Sequence, residues 1–285
     1  MALATYKDLC IDVENARVSG SFWAAVLGWQ LEMHEDGDAH LRDADGRIQV
    51  WLNQVPEPKE VKNRIHIDVN AASVEEVLDL GATVLYEQKR WTTLADPEGH
   101  ELCVFVREEP IEVRTLELVW SCAEGAAASH DIAAWWGEVL GAVVVDDDRG
   151  FSWVEQMPGC PWESFDWSGT PEPKTVKNRL HIDVSADDLD ALVAHGATVL
   201  RPKGDGGIAW TVLADPGRQR VLRLHRLRDQ GVWRSRTDRH VTQPASFSYS
   251  ERSTATTRSP RSSRSPRVWG ALVLISTTSS PSSTT

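Results

Sequence analysis

An internal repeat constrains this chain more than any other feature. The stretch Pro56 to Ala71, Pro-Glu-Pro-Lys-Glu-Val-Lys-Asn-Arg-Ile-His-Ile-Asp-Val-Asn-Ala, returns at Pro171 to Ala186 with 13 of 16 positions identical and a spacing of 115 residues. Other landmarks recur in the same order: Phe22-Trp23 to Leu27-Gly28 against Trp135-Trp136 to Leu140-Gly141, Gly81 to Leu85 against Gly196 to Leu200, and Leu94 to Pro97 against Leu213 to Pro216. A period this long is the size of a domain, not of a solenoid unit, and a unit of that length buries a core without disulfides or structural metal. The chain therefore reads as a duplicated domain, with copy one at 1–110, copy two at 114–226 and a tail at 227–285.

Each copy switches between two hydrophobic periods. Leu9, Ile11 and Val13 alternate with Asp8, Cys10 and Asp12, which predicts a half-buried strand, matched by Leu116 to Cys122. Ile132, Trp135, Trp136, Val139 and Leu140 form one helical stripe closed by Gly141, as Gly28 closes the helix of copy one. Short strands follow near Gln30 to His34, His40 to Asp43 and Ile48 to Val55. The second half of the copy repeats the plan. Ile65, Ile67 and Val69 face one way and His66 and Asp68 the other, and Ser73 with Glu76 opens a short helix that ends at Gly81, with Ser185, Asp188 and Gly196 as counterparts. Each copy is thus β-α-β-β-β twice, an α+β architecture.

The formal net charge of −12 is the sum of opposed regions. Residues 217–285 hold 13 Arg, no Lys and three acids, a net of +10, which leaves −22 for residues 1–216. So acidic a body repels phosphate backbones and argues against nucleic acid as a partner, while favouring a neutral or cationic small-molecule ligand. The four cysteines, Cys10, Cys103, Cys122 and Cys160, form no CxxC pair, and the N-terminus has no apolar signal core. Together with an apolar run of only five residues at Ala271 to Ile275, these features predict a cytoplasmic protein with no membrane partner.

A Phe-Trp-x-x-Val-Leu-Gly helix, a Pro-Lys-x-x-x-Asn-Arg-x-His-x-Asp strand, a Gly-Ala after the short helix and an Asp-Pro-Glu-Gly-x-Glu hairpin all lie between Tyr6 and Val106. This combination resembles the glyoxalase-like proteins of the vicinal oxygen chelate superfamily, which includes glyoxalases, bleomycin-resistance proteins and dioxygenases. The resemblance implies two tandem glyoxalase-like domains, each of paired β-α-β-β-β modules curling into a cup. It also implies a metal held by residues of the first, fourth, fifth and eighth strands. In copy one those positions are Asp8, Asn53, His66 and Glu101; in copy two they are Glu117, Ser168, His181 and Arg220. Arg220 bars a metal from the second set as it stands. The first set implies Zn²⁺, Fe²⁺, Mn²⁺ or Mg²⁺ as a Lewis acid in a lyase, isomerase or dioxygenase-like enzyme, with His66 and Glu101 catalytic and Glu101 moving a proton.

Metal-free readings stand beside this one. His66 and His181 also suit structural histidines bonded to Asp68 and Asp183, with Arg64 and Arg179 neutralising Asp8 and Glu117. Thirteen tryptophans, among them Trp51, Trp91, Trp153, Trp167 and Trp210 on or beside strands, suit a binding protein that sequesters an antibiotic or metabolite in a Trp-lined cleft, with Trp51, Trp91 and Arg64 touching the ligand. His34, Asp36, Asp38 and His40 flank Gly37 and read as a solvated turn. Cys10 and Cys103 read as small buried hydrophobes with no histidine nearby.

Copy two departs from the pattern after Asp215-Pro216. Codons allowed for Arg218 to His225, read with the first base dropped, give Gly-Asn-Glu-Phe-Cys-Ala-Phe, a counterpart of the hairpin strand in copy one. Lys vanishes and Arg, Ser and Thr take over at the same point. The tail thus reads as a disordered segment from a shifted frame, or as a natural regulatory tail. The nucleotide sequence decides between them.

Overall fold

The computed structural model describes residues 2–108, 110–122, 126–171, 174–217 and 220–225, the last six and residue 126 by backbone alone. The tail from residue 226 onward, with its expected disorder, lies outside the described residues. Copy one comprises β1 (Thr5–Val13), α1 (Ala16–Leu27), β2 (Gln30–Met33), β3 (Ala39–Arg42) and β4 (Ile48–Gln54), then β5 (Ile65–Ala71), α2 (Val74–Leu78), β6 (Thr83–Glu87), β7 (Thr92–Ala95) and β8 (Glu101–Val106). Copy two repeats the series as β9 (Thr115–Cys122), α3 (Ala126–Leu140), β10 (Val143–Asp147), β11 (Phe151–Glu155) and β12 (Ser164–Gly169), then β13 (Leu180–Ser185), α4 (Leu189–Ala194), β14 (Thr198–Arg201), β15 (Thr211–Ala214) and β16 (Arg220–His225). The α+β class and the twice-repeated module match the sequence reading.

The modules pair differently from the expectation that each copy closes its own cup. The strands form two eight-stranded sheets, ordered β14-β15-β16-β13-β1-β4-β3-β2 and β10-β11-β12-β9-β5-β8-β7-β6. Each sheet takes one module from each copy, joined by antiparallel pairing of β1 with β13 and of β5 with β9. Chain economy accounts for it. Only residues 107–114 separate β8 from β9, so the second and third modules, neighbours in sequence, become neighbours in one sheet. The first and fourth modules pair with each other. The connections from β4 to β5 and from β12 to β13 therefore run between sheets, once in each direction. Each crossing ends by joining a first strand of the other copy: Asp12 N donates to Arg179 O at 2.8 Å and Ser121 N donates to Arg64 O at 2.8 Å.

Local chemistry fixes the helices. Asn15 caps α1 by accepting from the amides of Arg17 and Val18, and Gly28 and Gly141 take the left-handed φ of 71° and 67° needed at a helix C-terminus. Ser73 Oγ accepts from Glu76 N, as its capping pattern predicts. In copy two Asp188, not Ser185, is the cap, because Ser185 is the last residue of β13. Trp23 Nε1 donates to Asp96 at 3.0 Å and Trp136 Nε1 to Asp215 at 3.3 Å. The Phe-Trp/Trp-Trp helix and the Asp-Pro turn thus hold each other within one copy, although the cups form between copies. Apolar strand faces carrying Leu9, Ile11, Ile65, Ile67, Leu118, Trp120 and Trp167 form the core, which leaves the polar faces of both sheets for the cups.

Candidate functional site

In the second sheet, strand register collects polar side chains on one face. Asp68 pairs with both Glu117 and Cys103, Ser164 pairs with Glu117, and His66 pairs with Val119, itself beside Asp166. His66 Nε2 lies 3.2 Å from Asp68 Oδ1, and ligand atoms of His66, Asp68 and Cys103 all fall within 4.8 Å of one another. Asp68 is 4% exposed and its Oδ1 accepts no hydrogen bond of acceptable geometry, so its contact with the imidazole is electrostatic. Burial opposes a charged His66, but the Asp68 carboxylate and then Cys103 outweigh it and hold the imidazole pKa well above its usual range. Burial first, then repulsion from Asp166 and Asp68, pushes Glu117 up to about 8. Burial likewise raises Asp166 to about 6, despite its hydrogen bond from Ser164. Among the described residues no Lys or Arg ion pair reaches Asp68, Glu117 or Asp166.

Aromatic rings flank this cluster. Trp153 pairs with Asp166 on one side. On the other, Phe105 follows Cys103 on the same strand face and stacks on Trp91 with centroids 5.7 Å apart. Cys103 shares a hydrogen bond with Thr93 at 3.5 Å.

The first sheet gathers a similar set and neutralises it internally. Cys10 pairs with His181 and Asp8 with Asp183, and Cys10, His181 and Asp183 again lie within 4.8 Å of one another. Here, however, Lys7 Nζ sits 2.5 Å from Asp8 Oδ2 with Asp183 nearby, and Lys177 pairs with Asp12. Burial would lower the Lys7 pKa; the two carboxylates outweigh it and raise the value. Trp51, 6% exposed, stacks on His34, whose Nε2 meets His40 Nδ1 at 2.7 Å. The His34 to His40 turn is thus only partly solvated: Asp36 accepts from Asp38 N within it, Asp38 accepts from Gln54 N at the end of β4, and His40 is 1% exposed, with burial lowering its pKa to about 4.

The anticipated metal set is divided by this topology. Asp8 and Asn53 stand on β1 and β4 of the first sheet, His66 and Glu101 on β5 and β8 of the second. His66 and Glu101 share a face by strand alternation, but Glu101 accepts from Lys59 Nζ at 3.0 Å and from Asn63 N at 3.2 Å. Glu117, assigned to the other copy, joins His66 instead. Arg64 ends the crossover, with its carbonyl bound by Ser121, and Arg179 donates to Glu57 O. Trp91, Trp153 and Trp51 stand on polar faces, whereas Trp167 is fully buried in the core against Trp120 and Trp136. The reading of Cys10 and Cys103 as lacking a histidine fails, because each has one on the adjacent strand or within the same cluster. Only pairing register reveals that neighbour, although the His-x-Asp spacing in both copies is its visible half.

The profile of the family described as "Glyoxalase-like domain" matches twice, at residues 8–105 and 120–221. No curated protein matches the chain. Among solved structures, glyoxalase I from Zea mays aligns with a TM-score of 0.55 and 12% identity, over 77% of this chain and 92% of the maize chain. A mutant form of the maize enzyme gives 0.57 and 12%, over 78% and 92%. A putative dioxygenase from Bacillus subtilis subsp. subtilis str. 168 gives 0.53 and 13%, over 79% and 86%. At such identity these alignments report a shared fold. Among the described residues no helix is long and apolar enough to cross a membrane.

Proposed function

The chain belongs to the glyoxalase-like domain family, and from that membership we propose that it is a metal-dependent enzyme of lyase, isomerase or dioxygenase-like type. Its substrate is a small molecule with adjacent oxygens, bound in the cup of the second sheet. One observation carries the reading: Asp68, Glu117 and Asp166 crowd around a single imidazole without a pairing lysine or arginine among the described residues. Burial first, and repulsion from neighbouring carboxylates after it, raises two of these carboxylates to about 8 and 6, and a divalent cation would offset both costs. The donor set, an imidazole nitrogen, a carboxylate oxygen and a thiol with ligand atoms within 4.8 Å, fits a first-row ion.

When bound, such an ion supplies Lewis-acid polarisation of a substrate oxygen. The chain's own residues supply the rest. Asp68 orients His66, Trp153 and the Trp91–Phe105 stack present flat apolar walls to the substrate, and Glu117, raised to about 8, exchanges a proton with it. Glu101, clamped by Lys59 and Asn63, positions the loop above β5.

The test is metal content after purification without chelators, for wild type, His66→Ala and His181→Ala. The reading expects one equivalent in wild type and in His181→Ala, and none in His66→Ala. A metal-free wild type whose tryptophan fluorescence is quenched by flat cationic ligands would overturn it in favour of sequestration.

A further inference from the structure

The position from which the eighth strand is expected to donate is occupied by Glu101, and the structure commits that carboxylate elsewhere. One oxygen faces Lys59 Nζ at 3.0 Å and the other accepts from Asn63 N at 3.2 Å. Lys59 and Glu101 are both largely buried, with side chains 10% and 15% exposed. Freeing Glu101 would strand the Lys59 ammonium in a place poor in water. Two residues along the same face of β8 stands Cys103, 6% exposed and level with Asp68. Its sulfur belongs to the trio with a His66 nitrogen and an Asp68 oxygen, in which Asp68 Oδ1 is buried without a hydrogen bond.

We infer that the eighth-strand donor of the second cup is the Cys103 thiolate, with His66 and Asp68 beside it, and that Glu101 is a positioning residue. This rests on the metal reading above and makes it narrower. A sulfur, a nitrogen and an oxygen select an ion of intermediate softness, Zn²⁺ or Fe²⁺, over Mg²⁺ or Mn²⁺. On binding, the Cys103 S–H bond breaks, its proton passes to solvent and the sulfur lone pair goes to the ion. Thr93 Oγ1, 3.5 Å from the sulfur, is placed to donate to the thiolate and limit its charge.

Cobalt(II) reports the donor directly, because a thiolate ligand adds a charge-transfer band in the near ultraviolet that oxygen and nitrogen ligands do not. The full chain, stripped of metal, is titrated with cobalt(II) chloride as wild type, Cys103→Ser, Glu101→Gln and Cys10→Ser. Bound cobalt is counted separately by elemental analysis. The inference expects the band in wild type, Glu101→Gln and Cys10→Ser, its loss in Cys103→Ser, and affinity in that variant weaker by roughly tenfold or more. Cys103→Ala replaces the serine variant if a buried hydroxyl unfolds the chain. Stoichiometric cobalt without the band in wild type, or a band that survives Cys103→Ser, overturns the inference and leaves the metal reading standing. No bound cobalt in wild type overturns both.

Discussion

The two cups are near-copies in topology and opposites in electrostatics. Both present a His-x-Asp strand with a cysteine on the strand beside it, at Cys10–His181–Asp183 and at His66–Asp68–Cys103. The first cup carries its own cations: Lys7 is bound to Asp8 beside Asp183, and Lys177 is bound to Asp12. The second holds Glu117 and Asp166 at raised pKa values of about 8 and 6, while Lys59 is tied to Glu101. Duplication supplied two equivalent scaffolds, and charge placement separated a self-neutralised cup from one whose Asp68, Glu117 and Asp166 have no lysine or arginine ion pair among the described residues. The lesson is that a ligand set is a property of a cup and not of a sequence copy, since each cup draws on both.

That comparison breaks most drastically if the copies are separated. Residues 1–110 alone lack β13 and β9, which leaves β1 and β5 with open edges. Analytical ultracentrifugation with circular dichroism should find this fragment unfolded or self-associated; a folded monomer would contradict the shared cups. A smaller loss is expected from Lys7→Met. Asp8 and Asp183 are 1% and 2% exposed, so removing a cation bound to the first and close to the second weakens the compensation of buried charge and lowers stability by roughly 3 kcal/mol in urea denaturation. No change would mean that the first cup is not neutralised by this lysine.

The finest test is pH. Burial and neighbouring carboxylates raise Glu117 from an ordinary value near 4.5 to about 8, so between those values the folded chain binds more protons than the unfolded one. Stability of the metal-free protein is therefore fullest below about pH 4.5 as far as this group is concerned, and is lost as pH rises through 8. Glu117→Gln should flatten that decline and add roughly 1–3 kcal/mol at about pH 8.5, the range allowing for partial solvent screening. An unchanged slope in thermal melts from about pH 6 to about pH 9 would place the proton elsewhere.

Much of this molecule was legible in the chain. Alternation of Leu9, Ile11 and Val13 with Asp8, Cys10 and Asp12 assigned both faces of β1, because side chains on a strand alternate whatever lies next to it. The Trp–Asp bridge of each copy, Trp23 to Asp96 and Trp136 to Asp215, joins landmarks that the repeat itself had marked. Backbone pairing of Ala214 with Arg220, matching that of Ala95 with Glu101, shows β16 in place despite its altered residues.

The duplication, the module order, the polar and apolar faces and the residue types on each can be read from the chain alone, since they follow from repeats, local periods and turn chemistry. Tertiary structure alone decided which modules share a sheet, and with that whether His66 meets Asp8 or Glu117 and whether a histidine stands beside Cys103. Those meetings depend on pairings between strands far apart in the chain, such as Thr5 of β1 with Ser185 of β13, which are 180 residues apart. No local pattern encodes them. They are fixed by connection length and by burial of both sheets' apolar faces against one core.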